Sequence, residues 1–321
     1  MSVLECSDLH VWFDLPGGGQ VHPVDGVSFS LAASERFGLV GESGCGKSTT
    51  ILALMGLLPP TATVAGRVCI DGTEILSGGE ESVRGHRWRD IAMVFQGAMN
   101  ALNPVKTVGW QIAEPMIAHG FARRAKARER TRELLELVGI PAASVDRYPH
   151  EFSGGMRQRL SIAMALACEP KILLADEPTT ALDVMVQAQI LELLTRLTEE
   201  LGMALVLVTH DLPLVSQFCH RAAVMYAGKM VEDGPADKLS WESQHPYTRL
   251  LFAATPDLYG AEEVVSIPGA PPRLDQEITG CPFRPRCDVP MDRCAGELPL
   301  LRATGPGHRA ACFHTESMVT S

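Results

Sequence analysis

Nothing in the chain is apolar for long enough to cross a bilayer. The longest apolar stretch runs only from Thr50 to Pro60, against roughly 20 residues for a spanning helix. No basic residue precedes an apolar run in Met1–Leu15, so a signal peptide is not expected. Positive charge is scarce: 28 Lys and Arg face 38 Asp and Glu, a net charge of −10. That balance argues against a nucleic-acid partner, because binding a phosphate backbone needs a basic face. Internal repeats and C-x2-C pairs are missing as well. Together these absences predict a soluble cytoplasmic protein. Without a secretion signal, its nine cysteines are not expected to form a disulfide framework.

What is there suggests about two domains, since the chain has 321 residues and a domain takes roughly 150. Short runs are apolar almost throughout: Phe37–Val40, Ile91–Phe95, Ile172–Ala175, Ala204–Thr209 and Ala222–Met225. Such runs predict strands covered on both faces, as in a parallel sheet flanked by helices. Val186, Ile190, Leu193, Leu194, Leu197 and Leu201 mark one face of a helix, and Leu134, Leu135 and Val138 mark a shorter one. The basic run Arg123–Arg132 reads as a solvated helix face. The body to about residue 235 is therefore α/β, with a helical insert at about 97–165. Beyond it, eight of the 22 prolines fall between Pro268 and Ser321, which predicts an irregular segment.

Gly41-Glu-Ser43-Gly44-Cys45-Gly46-Lys47-Ser48-Thr49 fits G-x-x-x-x-G-K-[ST] directly after an apolar run and before a helical one. In such a loop the glycines let successive N–H groups turn towards phosphate oxygens, in front of a helix N-terminus. Lys47 then reaches the β- and γ-phosphates, and the Ser48 hydroxyl ligates Mg²⁺. Ile172–Asp176 reads as a buried strand ending in two carboxylates: Asp176 for Mg²⁺ and Glu177 to polarise an attacking water. Ser153-Gly154-Gly155 stands at a helix start, a second anion-binding N-terminus. A Gly-rich turn or a surface turn would explain any one of these alone. Their order and spacing point to a nucleoside triphosphate site.

This series resembles the ATP-binding cassette of ABC transporters over roughly residues 3–235. The resemblance implies a P-loop ABC ATPase with a RecA-like core, a helical subdomain and a small Cys-rich extension. It implies that Phe13, next to Trp12, stacks on adenine. Gln96 would link Mg²⁺ and the lytic water to a membrane partner, Asp183 lie in the loop at the dimer interface, and His210 contact the γ-phosphate. It also implies a head-to-tail dimer, with ATP between Lys47 of one cassette and Ser153–Gly155 of the other. Met156 stands where many cassettes carry Gln, and the string G-G-M-R-Q-R resembles that of importers of the peptide and nickel type.

His245-Pro-Tyr247-Thr and Gly280-Cys281-Pro-Phe-Arg-Pro-Arg-Cys287 resemble the C-terminal extension of dipeptide and oligopeptide importer ATPases, here residues 236–321. Cys281, Cys287, Cys294 and Cys312 follow C-x5-C-x6-C-x17-C. Four thiolates can hold Zn²⁺ or a [4Fe–4S] cluster, and the resemblance leans towards the cluster. A zinc site, with His308 and His314 available, and reduced structural thiols are the alternatives. A bound metal would supply folding energy to a segment poor in apolar residues.

The expected function is the ATPase subunit of a bacterial ABC importer for di- or oligopeptides. It would sit on the cytoplasmic side of the inner membrane with two transmembrane permease subunits and a second ATPase, a heterodimer rather than a homodimer. An extracytoplasmic solute-binding protein would join indirectly. Nickel, glutathione or another small solute stays open as cargo. A soluble ABC ATPase of iron–sulfur assembly is the rival; that class lacks the His245–Tyr247 stretch and the cysteine tail. The ribosome-recycling ABC type has two cassettes and N-terminal cysteines.

Overall fold

A computed structural model of the chain describes residues 2–15, 17–97, 101–254, 266–276 and 278–317. In chain order the strands are β1 (Ser2–Asp14), β2 (Gln20–Ala32), β3 (Arg36–Val40), β4 (Ala62–Ile70), β5 (Thr73–Glu74), β6 (Ile91–Val94), β7 (Ile172–Asp176), β8 (Ala204–Thr209), β9 (Arg221–Tyr226), β10 (Lys229–Pro235), β11 (Arg302–Gly305) and β12 (His308–Ala310). The helices are α1 (Lys47–Leu54), α2 (Gly79–His86), α3 (Val108–Ala118), α4 (Arg124–Leu137), α5 (Gly154–Ala165), α6 (Val184–Leu201), α7 (Leu212–Phe218) and α8 (Pro246–Ala253). Two compact units interleave along the chain, one from residues 1–4, 31–35 and 70–207, the other from residues 5–30, 36–69 and 208–321.

In the first unit β6 and β7 pair in parallel, with Ile91 opposite Ile172 and Val94 opposite Ala175. Every residue of both strands is buried, which is why they are apolar at every position rather than at alternate ones. The strand ends at Val94, one residue short of the expected Phe95, whose side chain is 43% exposed. Helix α6 buries Ile190, Leu193, Leu194 and Leu197 on one face, while Val184 and Met185 in its first turn are exposed. Asp183 caps it through Oδ1, which accepts the Val186 N–H at 3.0 Å. Gly202 closes it in the left-handed region.

The helical insert is α3, α4 and α5 with two short 3₁₀ turns at Ala142–Asp146 and Pro149–Glu151. Helix α4 buries Ala127, Thr131, Leu134 and Leu135. Its basic residues face outward, Arg128 onto Asp146 and Arg130 onto Glu133, a solvated face as expected. Helix α5 begins at Gly154, the helix start expected from Ser153-Gly154-Gly155, and ends at Ala165. Its cap, Ser153, sets the start.

In the second unit β1, β2 and β4 form a sheet in the order β2-β1-β4, and β3 pairs in parallel with β9. Antiparallel β10 follows on β9, and the C-terminal hairpin β11–β12 adds to β10. The tail is thus not irregular to its end. Pro306 lies in the turn between β11 and β12, where its missing N–H breaks no ladder, and the hairpin covers an edge that β10 would otherwise present. Side chains fix the register: Asp233, 3% exposed, takes Arg221 and Arg309, and buried Glu232 takes His308 Nε2 at 2.8 Å.

Because Leu194 is fully buried on α6 and Met185 is 72% exposed, Leu194→Ala is expected to cost about 2–5 kcal/mol and Met185→Ala within about 0.5 kcal/mol. Urea unfolding of the two variants measures both.

Candidate nucleotide site

The loop 41–46 curls because two of its glycines occupy space that a side chain would fill. A Cβ on Gly41 (φ +148°) would lie 2.2 Å from the Met225 carbonyl oxygen, and one on Gly46 (φ +109°) 1.9 Å from that of Pro23. The loop is therefore seated against the backbones of β9 and β2 and leads into α1, whose first residue is Lys47. The Lys47 side chain is buried and folds back on the loop. Its Nζ donates to the carbonyls of Gly41 at 2.6 Å and Glu42 at 2.9 Å, and to Cys45 Sγ at 3.6 Å. A desolvated ammonium beside a helix N-terminus forms an anion site. Ser48 and Thr49 follow in the first helical turn, half-buried, while Ser43 and Gly44 are exposed at the tip. Cys45 is buried, and burial raises its thiol pKa in spite of Lys47.

Asp176 ends β7 with 5% of its surface exposed. Glu177, next in the chain, has φ +46°, a left-handed conformation that costs a non-glycine residue roughly 1–2 kcal/mol. Its carboxylate is then held from two sides: Gln96 Nε2 donates to Oε2 at 2.7 Å and Thr180 Oγ1 donates to the same oxygen at 2.9 Å. A fixed, partly exposed carboxylate is what a general base needs. The resemblance gives both Gln96 and Glu177 a part in handling the lytic water, and the fold brings them together; Thr180 carries no signal in the sequence.

Ser153 caps α5, its Oγ accepting the Met156 N–H at 3.4 Å, and Gly154 and Gly155 form the first turn. In the other unit, His210 is exposed between β8 and α7. Phe13 is half-buried near the end of β1, and the adjacent Trp12 stacks on His22 at 6.1 Å.

Cys281, Cys287, Cys294 and Cys312 all line one cavity of about 20 Å³, with His245, Phe283 and His314. All four are free thiols. Burial pushes the Cys281 thiol up to about 11 and raises those of Cys287 and Cys312. Among the described residues, no three His, Cys, Asp or Glu side chains form a group placed to hold a metal ion. The expected zinc alternative with histidines is not what the fold builds: His308 Nε2 is on Glu232, and His314 Nε2 is on the Val289 carbonyl at 2.7 Å.

In one unit a glycine loop with a buried lysine leads into α1; in the other a clamped carboxylate follows a buried strand. The chain matches the ABC transporter family over residues 24–180 and the C-terminal region of oligopeptide/dipeptide transporters over residues 231–294. It is 47% identical over 317 residues to the dipeptide transport ATP-binding protein DppD of Bacillus subtilis, covering 97% of this chain and 94% of that one. It is 46% identical over 315 residues to the oligopeptide transport ATP-binding protein OppD of Salmonella typhimurium, covering 97% and 93%. Among solved structures, the cassette MJ0796, in a dimeric post-hydrolysis state bound to ADP and Pi, superposes with a TM-score of 0.64 at 29% identity, over 73% of this chain and 98% of that chain. The transporter component cbiO1 of Clostridium perfringens gives 0.63 at 28%, over 74% and 90%. The chain belongs to the ABC transporter ATPases, and within them to the oligopeptide/dipeptide transporter ATP-binding family. Among its described residues no helix is long and apolar enough to cross a membrane.

Sequence reading missed the bond between Glu42 and Arg286, 244 positions apart. It also missed the use of His245, whose Nδ1 caps α8 by accepting the Tyr247 N–H at 3.1 Å. Full burial pushes the His245 pKa down to about 4 from 6.5, against the opposing pull of the Glu232 carboxylate. An unfolded chain therefore binds more protons than the folded one between about pH 6.5 and pH 4, and stability falls as pH drops through that window. The urea midpoint is expected to fall from pH 7 to pH 5, with a shallower slope in His245→Asn, which keeps a capping side chain. An equal slope in the variant would assign the effect to other groups.

Proposed function

We propose that the chain is the ATP-hydrolysing subunit of a bacterial importer for di- or oligopeptides. The observation that carries the catalytic part is the Glu177 carboxylate, fixed by Gln96 and Thr180 at the end of β7. The names of the relatives at 46–47% identity support peptide cargo. The nucleotide-binding domain spans residues 1–235, its helical subdomain about 97–165, and the extension 236–321. Cargo of another kind, nickel or glutathione, has no observation in its favour.

In this reading the N–H groups of Gly41–Thr49 and the Lys47 ammonium take the β- and γ-phosphates, and Phe13 stacks on the adenine. Ser48, Gln96 and Asp176 would hold Mg²⁺; hydroxyl, amide and carboxylate oxygens are the hard donors that this ion takes. When bound, Mg²⁺ neutralises charge on the phosphates. Glu177 accepts the proton of the water that attacks the γ-phosphorus as the bond from that phosphorus to the bridging oxygen breaks and ADP leaves, while His210 steadies the phosphate. Ser153, Gly154 and Gly155 present the α5 N-terminus to the nucleotide of a second cassette, and Asp183 lies in the loop that faces that cassette. The second cassette is read as a similar ATPase, a heterodimer rather than a homodimer, on the resemblance alone.

Partner permeases would dock on the helical subdomain. There Trp110 and Ile117, 46% and 42% exposed, line a groove of about 570 Å³ with Val145, rimmed by Glu114, Arg124, Arg128 and Asp146. Two such subunits would place the chain on the cytoplasmic side of the inner membrane, with an extracytoplasmic solute-binding protein delivering the peptide. The four cysteines match the donors of a [4Fe–4S] cluster in kind and number and line one cavity, but among the described residues no three of them are grouped to hold a metal, so the cluster rests on the resemblance alone.

Glu177→Gln is expected to lower ATP turnover about 10²–10⁴-fold and to retain ATP binding. Purified from detergent-solubilised membranes with ATP, it should bring two membrane proteins and a second cassette with it. Iron–sulfur assembly or ribosomal proteins without a membrane partner would overturn the importer reading. The wild-type chain should be yellow-brown and contain iron, with both lost in Cys287→Ser. Zinc in place of iron, or no metal at all, would remove the cluster.

A further inference from the structure

Glu42 is an odd residue for its position. It is the second residue of a loop whose task, on the reading above, is to wrap an anion, and a carboxylate there repels the ligand unless its charge is answered. The answer comes from the C-terminal extension. Arg286 donates to both Glu42 oxygens, Nη1 to Oε2 at 2.6 Å and Nη2 to Oε1 at 2.9 Å. The Glu42 N–H donates to the Tyr247 hydroxyl at 2.9 Å, and the Glu42 carbonyl accepts from Lys47 Nζ. Each polar group of this one residue is engaged, two of the three by the extension.

The guanidinium is itself immobile. Its side chain is 3% exposed; Nε donates to the Pro268 carbonyl at 2.8 Å and Nη1 to the Tyr226 hydroxyl at 3.3 Å. The Tyr226 and Phe283 rings lie 5.7 and 5.9 Å from its centre. Those rings meet Tyr247, Tyr226 at 4.6 Å and Phe283 at 5.3 Å. Arg286 and Tyr247 thus reach the loop from one aromatic block. Phe283 also lines the cysteine cavity, and Cys287 follows Arg286 directly. A bidentate fork of this kind cannot be reproduced by an ammonium.

We propose that Arg286 is a positioning residue for the phosphate loop. It neutralises Glu42 and turns its carboxylate away from the phosphates, so that the affinity of this chain for ATP depends on its C-terminal extension. The proposal rests on residues 41–49 being the ATP phosphate loop.

The test is ATP binding to the full-length purified chain, measured as displacement of a fluorescent ATP analogue and as the ATP-induced rise in melting temperature. Lys47→Ala serves as the control for the loop. Arg286→Ala is expected to weaken ATP binding about tenfold, a usual size for coupling between sites, and Arg286→Lys to weaken it less. Arg286→Ala combined with Glu42→Gln should recover most of the loss, because the uncompensated carboxylate is then gone. If Arg286→Ala fails to fold, Arg286→Lys with and without Glu42→Gln makes the same comparison. Wild-type affinity in Arg286→Ala, or no recovery in the double variant, would overturn the proposal while leaving the loop reading intact. Unchanged binding in Lys47→Ala would instead overturn the loop reading.

Discussion

The glycine loop 41–46 is pinned by two backbone oxygens. The Met225 carbonyl blocks any side chain at position 41 and the Pro23 carbonyl blocks one at 46, so the loop has one path between β3 and α1. Much of the second unit follows from that path. It sets Lys47 on the carbonyls of Gly41 and Glu42 and brings the Glu42 carboxylate to Arg286. It also leaves Cys45 as a packed thiol whose carbonyl accepts the Gly228 N–H. A loop fixed in this way pre-orients its donors, which is how a binding site avoids the cost of ordering them when the ligand arrives.

The Glu177 carboxylate is set by a different device. Glu177 takes a left-handed backbone conformation at the strand end, and strain of this sort persists only where the surroundings over-determine it. Here Gln96 and Thr180 do so through a single oxygen. Position is thus specified by backbone strain and side-chain hydrogen bonds together, rather than by burial.

The C-terminal extension is more firmly built than its composition suggests. Eight prolines and few apolar residues predict an irregular segment. The fold gives it a strand pair on β10, a buried Asp233 shared by Arg221 and Arg309, and an aromatic block of Tyr226, Tyr247 and Phe283. These contacts join residues far apart in the chain, so no local spacing announces them. The cysteines sit beside that block and share Phe283 with it.

Local motifs make the glycine loop before α1, the buried strand that ends at Asp176, the Ser153 cap and most of the face of α6 legible in the amino-acid sequence alone, although Leu201 at the end of that face is exposed. The physical reason is that each depends on neighbours within a few residues: a turn that needs glycine, a cap that needs a hydroxyl, a buried strand that needs continuous apolar side chains. The short overrun at Phe95 marks the limit of that kind of reading, since strand ends are decided by pairing and not by apolarity. Only the tertiary structure decided that Thr180 shares Glu177 with Gln96, that His245 is buried as a neutral cap, and that Arg286 crosses 244 positions to hold Glu42. Those are choices of charge and hydrogen-bond partner between distant segments. A carboxylate in the sequence states that it needs a partner, but only the folded chain says which one it has.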